Sequence, residues 1–304
     1  MTTPIASLLL QAASAAAGSQ QYPAAALYVV ATPIGNLADL TLRAIHVLSL
    51  VDAVACEDTR HTAPLLRHLG LDKPLLAVHQ HNEQSSSGDV IARLARGERV
   101  AYVSDAGTPA VSDPGAALVA AVVASGRAVV AIPGASSAIT AVSVAGDTVG
   151  SGFRFIGFLP ARGNERALAL KALAVAVETQ VLFEAPHRIE ALVSGLAEAC
   201  GARIVTLCRE LTKQFETVAT LPAAALPGWL AGDANRLRGE FVLVVHAMAP
   251  SESADETVRH DVVLQTLLAE LPLKQAVSLA AALSGAPRNA LYARALELKG
   301  RAAD

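Results

Sequence analysis

The chain of 304 residues holds three cysteines, Cys56, Cys200 and Cys208, and no two of them form a CxxC pair. An odd, unpatterned set argues against a disulfide framework and for buried thiols in a reducing cytoplasm. Aromatic residues make up 4%, too few for a stacking platform that serves many exposed bases. No Lys or Arg precedes Arg43, so the Ala/Ser/Gln-rich opening with its Leu8-Leu9-Leu10 run lacks the basic region of a signal peptide. The apolar stretch 116–132 is interrupted by Gly126-Arg127, and no run is long enough to span a membrane. A GxGxxG turn after the first strand, a GxxxxGK phosphate loop and a GxSxG elbow are all missing. Their absence weakens a nicotinamide dehydrogenase, a phosphate-loop NTPase and a serine hydrolase in turn.

What the chain does contain is apolar: 53% hydrophobic residues, rich in Ala and Val. That composition favours helices packed closely on buried parallel strands. The formal net charge is −3, so a nucleic-acid partner would need a local basic surface rather than a basic whole. Residues 1–26 read as a disordered or frayed lead. From Leu27 onward short apolar runs alternate with helical patterns, the signature of a doubly wound α/β sheet. Strands are expected at 27–31, 51–56, 75–78, 99–103 and 128–132. Asp39 or Thr41 is expected to cap the first following helix. The glycine-rich stretch 146–152 separates this N-terminal α/β domain (27–146) from a second one (147–248). The second carries strands at 153–158, 180–183 and 203–207, then later, antiparallel ones near 215–220 and 240–246. A Pro/Ser/Asp/Glu-rich linker at 249–257 leads to a helical C-terminal module, 258–304.

The stretch around which the rest is organised is Ser104-Asp105-Ala106-Gly107-Thr108-Pro109, continuing to Ser112-Asp113-Pro114-Gly115. It lies between a strand and a helix. Gly107 and Gly115 permit positive φ and close approach of a ligand to the backbone. Asp113 or Ser112 is expected to cap the next helix, with Pro114 in its first turn. The carboxyl ends of parallel strands are where open α/β sheets bind ligands. Other polar clusters follow other strands. Glu57-Asp58-Thr59-Arg60 suits catalysis or an Asp-capped helix with an Arg pair. Glu184, His187 and Arg188 carry the same ambiguity. Arg209-Glu210 and Lys213-Glu216 suit a site or surface ion pairs of little energetic weight. His79, His81 and Glu83 could offer metal ligands, but two imidazoles without a clear third ligand read as a solvated loop, and no metal is expected.

Taken together, the motifs resemble the tetrapyrrole methylase superfamily, and within it the RsmI family of 16S rRNA ribose 2′-O-methyltransferases. The resemblance rests on ATPIGNLADLTLRA from Ala31, EDTRHT from Glu57, SDAGTPAVSDPG from Ser104 and IPGASSAITA from Ile132. It continues through GFLPARGNER from Gly157, FEAPHRI from Phe183, RELTKQFE from Arg209 and GEFVLVV from Gly239. Each piece alone is weak; the full set in order, over about residues 27–246, is specific. The tail from Lys274 resembles the family's helical extension. The resemblance implies two α/β domains with S-adenosylmethionine in the cleft between them, a homodimer, and as acceptor a cytidine ribose in the decoding centre of 16S rRNA in the small ribosomal subunit. It places the cofactor against Pro33, Ser104, Asp105, Ala106, Gly107, Val111, Ser136, Ser137, Glu184, Ala185 and Leu211. Two other classes stay open: a methyltransferase of tetrapyrrole or corrin precursors, which the first loop (Thr32 to Asn36) and the tail disfavour, and a non-catalytic ribosome-binding factor, which the intact cofactor loops disfavour.

Methyl transfer from a sulfonium needs alignment, exclusion of water and a base for the acceptor proton. Glu57, Asp58, His187 and Glu210 are the candidates for that base, and the sequence does not choose among them. Arg60, Arg162, Arg166, Arg188, Arg209 and Lys213, all in or just after strand-end loops, are the expected RNA contacts and would form a basic rim.

Overall fold

The computed structural model describes residues 4–78, 83–112, 114–248 and 254–301. They fall into two compact units, 1–247 and 248–304.

The first unit opens with α1 (Pro4–Ala17), where the sequence suggests a frayed lead. Ala is the strongest helix former. Ala6, Ala13 and Ala17 recur on one face and are buried, so the near-absence of charge marks a packed helix. The parallel strand β1 (Ala26–Val30) follows. α2 (Leu42–Leu50) is capped by Thr41, whose side chain accepts from the Ala44 amide, while Asp39 lies in a short 3-10 turn before it. Then come β2 (Ala53–Cys56), α3 (Thr59–His68), β3 (Leu75–Ala77) and α4 (Glu83–Ala95). β4 (Val100–Val103), α5 (Ala116–Ala124), β5 (Ala128–Ile132) and α6 (Ser137–Ala145) complete the first lobe. The N-cap of α5 is Gly115 at φ 123°, with no side-chain cap. Ser112 does not fill that position, Asp113 lies outside the described residues, and Pro114 precedes the helix. The reason is Tyr102: its hydroxyl donates to Pro114 O at 2.6 Å, and its ring fills the space a Gly115 Cβ would need.

These strands form one parallel sheet in the order β3-β2-β4-β1-β5. One face packs against α1, α2 and α3 through Ala13, Leu48, Leu66 and their neighbours. The other face is covered by Val90, Leu94, Leu118 and Val122 of α4 and α5.

The second lobe runs β6 (Phe153–Phe158), α7 (Gly163–Val175), β7 (Thr179–Glu184), α8 (Ile189–Cys200), β8 (Ile204–Arg209), β9 (Thr217–Pro222), α9 (Leu226–Ala231) and β10 (Phe241–Val245). Its sheet order is β6-β7-β10-β8-β9, mixed. β10 runs antiparallel to both β7 and β8, which places Phe241 beside Glu184 on one side and Arg209 on the other. The ends of β7 and β8 and the start of β10 therefore share one edge. α7, α8 and α9 cover one face of this sheet. The opposite face receives α6 of the first lobe: Ala138, Ala141 and Ala145 pack with Val181, Cys208, Leu211 and Val242. Small residues let this helix approach the strands closely, and it joins the lobes into one body. Burial pushes the Cys208 thiol up to about 12, so it behaves there as a small apolar group.

The second unit is a three-helix module of α10 (Ala254–Glu270), α11 (Leu273–Ser284) and α12 (Arg288–Arg301). Leu264, Val277, Ala280, Leu291 and Ala295 form its core. Gly285, at φ 71°, ends α11. Arg294 clasps Asp261 by two hydrogen bonds of 2.7 and 2.6 Å, tying α12 to α10.

Candidate functional site

The site is assembled from strand ends. The edge where β1, β4 and β5 terminate faces the edge where β7, β8 and the start of β10 meet, and a cavity of about 310 Å³ lies between them. Ala106, Gly107, Val111, Ser136 and Ser137 line it from the first lobe; Glu184, Ala185 and Leu211 line it from the second. These are eight of the residues expected to hold the cofactor. The remaining expected contacts, Pro33, Ser104 and Asp105, line a neighbouring cavity of about 270 Å³ together with Thr32, His61 and Leu65. One loop separates the two spaces. Its Gly107 bridges backbone to backbone with Thr32, and Ser104 Oγ lies 3.3 Å from the carbonyls of both Ala106 and Gly107.

The first cavity suits a nucleoside joined to a short charged arm. Ile34, Phe158, Phe183 and Leu211 give apolar walls. Gly107 sits at φ 81°, and a Cβ there would stand 3.3 Å from Ile34 Cγ2, so the bare backbone is what the cavity presents. Glu184 is buried, and its Oε2 has no hydrogen-bond partner.

Glu184 is also the centre of a knot of charge. Arg188 lies 2.9 Å from its Oε1 and Arg166 3.7 Å from its Oε2. The two guanidiniums are anchored in turn on the strand-end carbonyls, Arg188 on Leu159 O at 2.6 Å and Arg166 on Pro160 O at 3.1 Å. Arg209 is buried and donates to Arg238 O, Phe215 O and Thr217 Oγ1. The basic rim expected from sequence therefore divides. Arg166, Arg188 and Arg209 turn inward and hold the frame. Arg60 and Arg162 are exposed, and Lys213 lines the first cavity. Lys213 is held between Glu210 at 2.9 Å and Glu240 at 2.7 Å. Partial burial opposes its charge, but these carboxylates outweigh that and raise its pKa. Burial likewise pushes Glu210 up, and Lys213 and the Glu240 amide more than offset it, holding the carboxyl below its usual range.

Among the residues described as lining the two cavities, none of the four candidate bases appears. Asp58 caps α3 and grips Arg60 through both its oxygens, the Asp-capped helix with an Arg pair. Those bonds hold its carboxyl at about 2. Glu210 is committed to Lys213 and the Glu240 amide. His187 is exposed in a 3-10 turn after β7, and Glu57 is half-buried at the end of β2. The residue that sequence reasoning passed over is His61. It stands on the first turn of α3 with Nδ1 2.8 Å from Asp105 Oδ2. EDTRHT puts His61 on the first turn after the cap Asp58, but its partner Asp105 follows another strand 44 residues on, and no local pattern joins the two. Donor atoms of Asp58, His61 and Asp105 come within 4.8 Å of one another. A cation there would also face the Arg60 guanidinium, which already occupies Asp58. The His79/His81 pair lies outside the described residues.

Two α/β lobes joined by one packed helix, with a nucleoside-sized cavity at their facing strand ends, define a two-lobed transferase-like fold. The family described as Tetrapyrrole (Corrin/Porphyrin) Methylases matches residues 26–227, and the chain belongs to it. The RsmI C-terminal HTH domain matches residues 253–299. The chain is 45% identical over 283 residues to the ribosomal RNA small subunit methyltransferase I of Pseudomonas aeruginosa, covering 91% of this chain and 99% of that one. Its counterpart from Escherichia coli O157:H7 is 45% identical over 277 residues, covering 90% and 96%. Among solved structures, diphthine synthase aligns with TM-score 0.56 at 16% identity, over 73% of this chain and 90% of the other. A Thermus thermophilus uroporphyrin-III C-methyltransferase complexed with S-adenosyl homocysteine aligns with TM-score 0.51 at 15% identity, over 72% and 96%. At these identities the structural likeness speaks for the fold alone.

Proposed function

We propose that this protein transfers a methyl group from S-adenosylmethionine to the 2′-oxygen of a cytidine ribose in 16S rRNA, at the decoding centre of the small ribosomal subunit. The observation that carries this is the near-full-length likeness to proteins named ribosomal RNA small subunit methyltransferase I, in a chain whose matching loops line one cavity. The cofactor supplies an already activated methyl on a sulfonium. Ala106, Gly107, Val111, Ser136 and Ser137 would hold it from one side, and Glu184, Ala185 and Leu211 from the other. Ile34, Phe158 and Phe183 give the cavity apolar walls against which the cofactor would be aligned, and positioning of this kind is worth roughly 7–11 kcal/mol of barrier. Of the expected rim, exposed Arg60 and Arg162 are the cations left to meet RNA phosphates. Exposed Val123, Ile139 and Val144 on α5 and α6 leave apolar surface for a second copy of the chain, in keeping with a homodimer. No helix among the described residues is long and apolar enough to cross a membrane, and a cytoplasmic enzyme working on ribosomal subunits fits the thiol usage.

The test is methylation of small subunits from a strain lacking the modification, read by mass spectrometry of the 16S rRNA. Purified protein with S-adenosylmethionine should restore a single ribose methyl. Methylation of a porphyrinoid with none on subunits would replace this reading with the tetrapyrrole one.

A further inference from the structure

The cavity beside the proposed cofactor cavity carries three of the residues expected to touch the cofactor, Pro33, Ser104 and Asp105, and with them His61, to which the resemblance gives no role. Its volume of about 270 Å³ is at the small end for ligand pockets and on the scale of one nucleoside. Pro33, Leu37, Pro64 and Leu65 form its apolar walls; Thr32, Ser104, His61 and Asp105 are its polar groups. It shares a wall with the cofactor cavity: Asp105 lines one and the next residue, Ala106, lines the other.

His61 and Asp105 reach this cavity from different elements. His61 is set by α3, whose start is fixed by the Asp58 cap. Asp105 is set by the loop after β4, and its second oxygen, Oδ1, accepts the Asp58 amide at 3.2 Å. With Nδ1 facing a carboxylate, the ring proton is placed on Nδ1 and the lone pair on Nε2. Resting on the 2′-O-methylation reading, we propose that this cavity receives the acceptor ribose, that His61 is the catalytic base which takes its 2′-hydroxyl proton, and that Asp105 is the residue positioning it. The O–H electron pair forms the new O–CH₃ bond as the C–S bond of the donor breaks onto sulfur. The proton passes to His61 Nε2 and then to water, so no further reactant is needed. Asp105 and Asp58 favour the protonated ring and Arg60 opposes it, with the Asp105 hydrogen bond the largest influence, so His61 titrates above 6.5.

The experiment compares wild type, His61→Asn and Asp105→Asn as full chains. Cofactor binding is measured by calorimetry, single-turnover methylation of subunits across pH, and His61 ionisation by NMR of the free protein. His61→Asn should bind cofactor as wild type does, methylate about 10²–10⁴-fold more slowly, and lose the rise in rate with pH. Asp105→Asn should move the NMR midpoint and the kinetic limb down together. A His61→Asn enzyme within about threefold of wild type, or one that keeps the limb, overturns the assignment, as does a limb that stays put while the NMR midpoint moves. If wild type methylates no subunit at all, the function proposed above fails instead, while the NMR shift in Asp105→Asn still reports whether the dyad exists.

Discussion

Gly107 holds a left-handed φ and presents bare backbone to the first cavity. Gly107→Val should leave a folded protein and weaken S-adenosylmethionine binding at least tenfold by calorimetry, because the branched side chain both strains the turn and fills the approach; unchanged affinity would remove this loop from the site. Arg188 offers a sharper contrast. Sequence places it on an RNA-facing rim, yet its guanidinium is spent on Glu184 and Leu159 O. Arg188→Ala should therefore weaken cofactor binding by disturbing the Glu184 wall. Arg162→Ala should leave cofactor binding alone and flatten the salt slope of subunit binding by roughly 0.7–0.9 per lost phosphate contact. Equal salt slopes for wild type and Arg162→Ala would make Arg162 a bystander. Loops of glycine, serine and proline after successive strands marked the edge that carries the cavity, while the individual lining residues came only from the family resemblance, which named eight residues of this cavity and three of its neighbour. The inward turn of Arg166, Arg188 and Arg209 was not legible in the sequence. Position after a strand fixes which edge a residue occupies, whereas the direction of a long side chain depends on carbonyls of other strands.

Among the elements, the β–α alternation and the existence of β10 follow from the apolar runs, whereas the central, antiparallel place of β10 comes from tertiary pairing with β7 and β8. α1 does not follow from such runs, because its packing stripe is alanine, which reads as low complexity until a partner helix is known. A hidden joint lies between α6 and β6. Asp147 Oδ2 accepts from Thr179 Oγ1 at 2.6 Å and from the Ala247 amide at 2.7 Å, and Oδ1 accepts from the Val149 and Gly150 amides. Burial alone would push its carboxyl up, but these hydrogen bonds outweigh it and hold the group at about 2, against 3.8 for a free Asp. A depressed folded value means the contribution is complete above pH 3.8 and is lost as pH falls toward 2. Asp147→Ala should cost roughly 1–3 kcal/mol of stability at neutral pH, since it strands four donors, three of them partly buried. In denaturant melts the gap from wild type should close in acid; a gap that persists at pH 2 would assign the effect to packing alone.

At the level of the whole molecule, the core of each unit is its own. Deleting 248–304 should leave cofactor affinity of the remaining chain nearly unchanged while subunit methylation falls. A truncated protein that aggregates or fails to bind cofactor would mean the helices cover a surface the larger unit needs. The net charge of −3 then has a physical reading. With half of the expected rim turned inward, the proposed function leaves exposed Arg60 and Arg162 to meet phosphates, so methylation should fall with added salt only as steeply as these few contacts allow.

The place of β10 has a consequence for how the protein is made. Every strand of the first sheet lies within the first 132 residues, so that lobe can close soon after its chain leaves the ribosome. The second sheet cannot: β10, among the last of its segments to emerge, is also its middle strand, and until it inserts β7 and β8 have no neighbour to join them. Domains fold as units in the order of synthesis, which leaves the strands between Phe153 and Arg209 waiting with open edges. Nascent chains halted between Arg209 and Glu240 should show a protease-resistant first lobe and a digestible second one. Release past His246 should protect both at once, so that half of the cavity wall arrives in a single late step of translation.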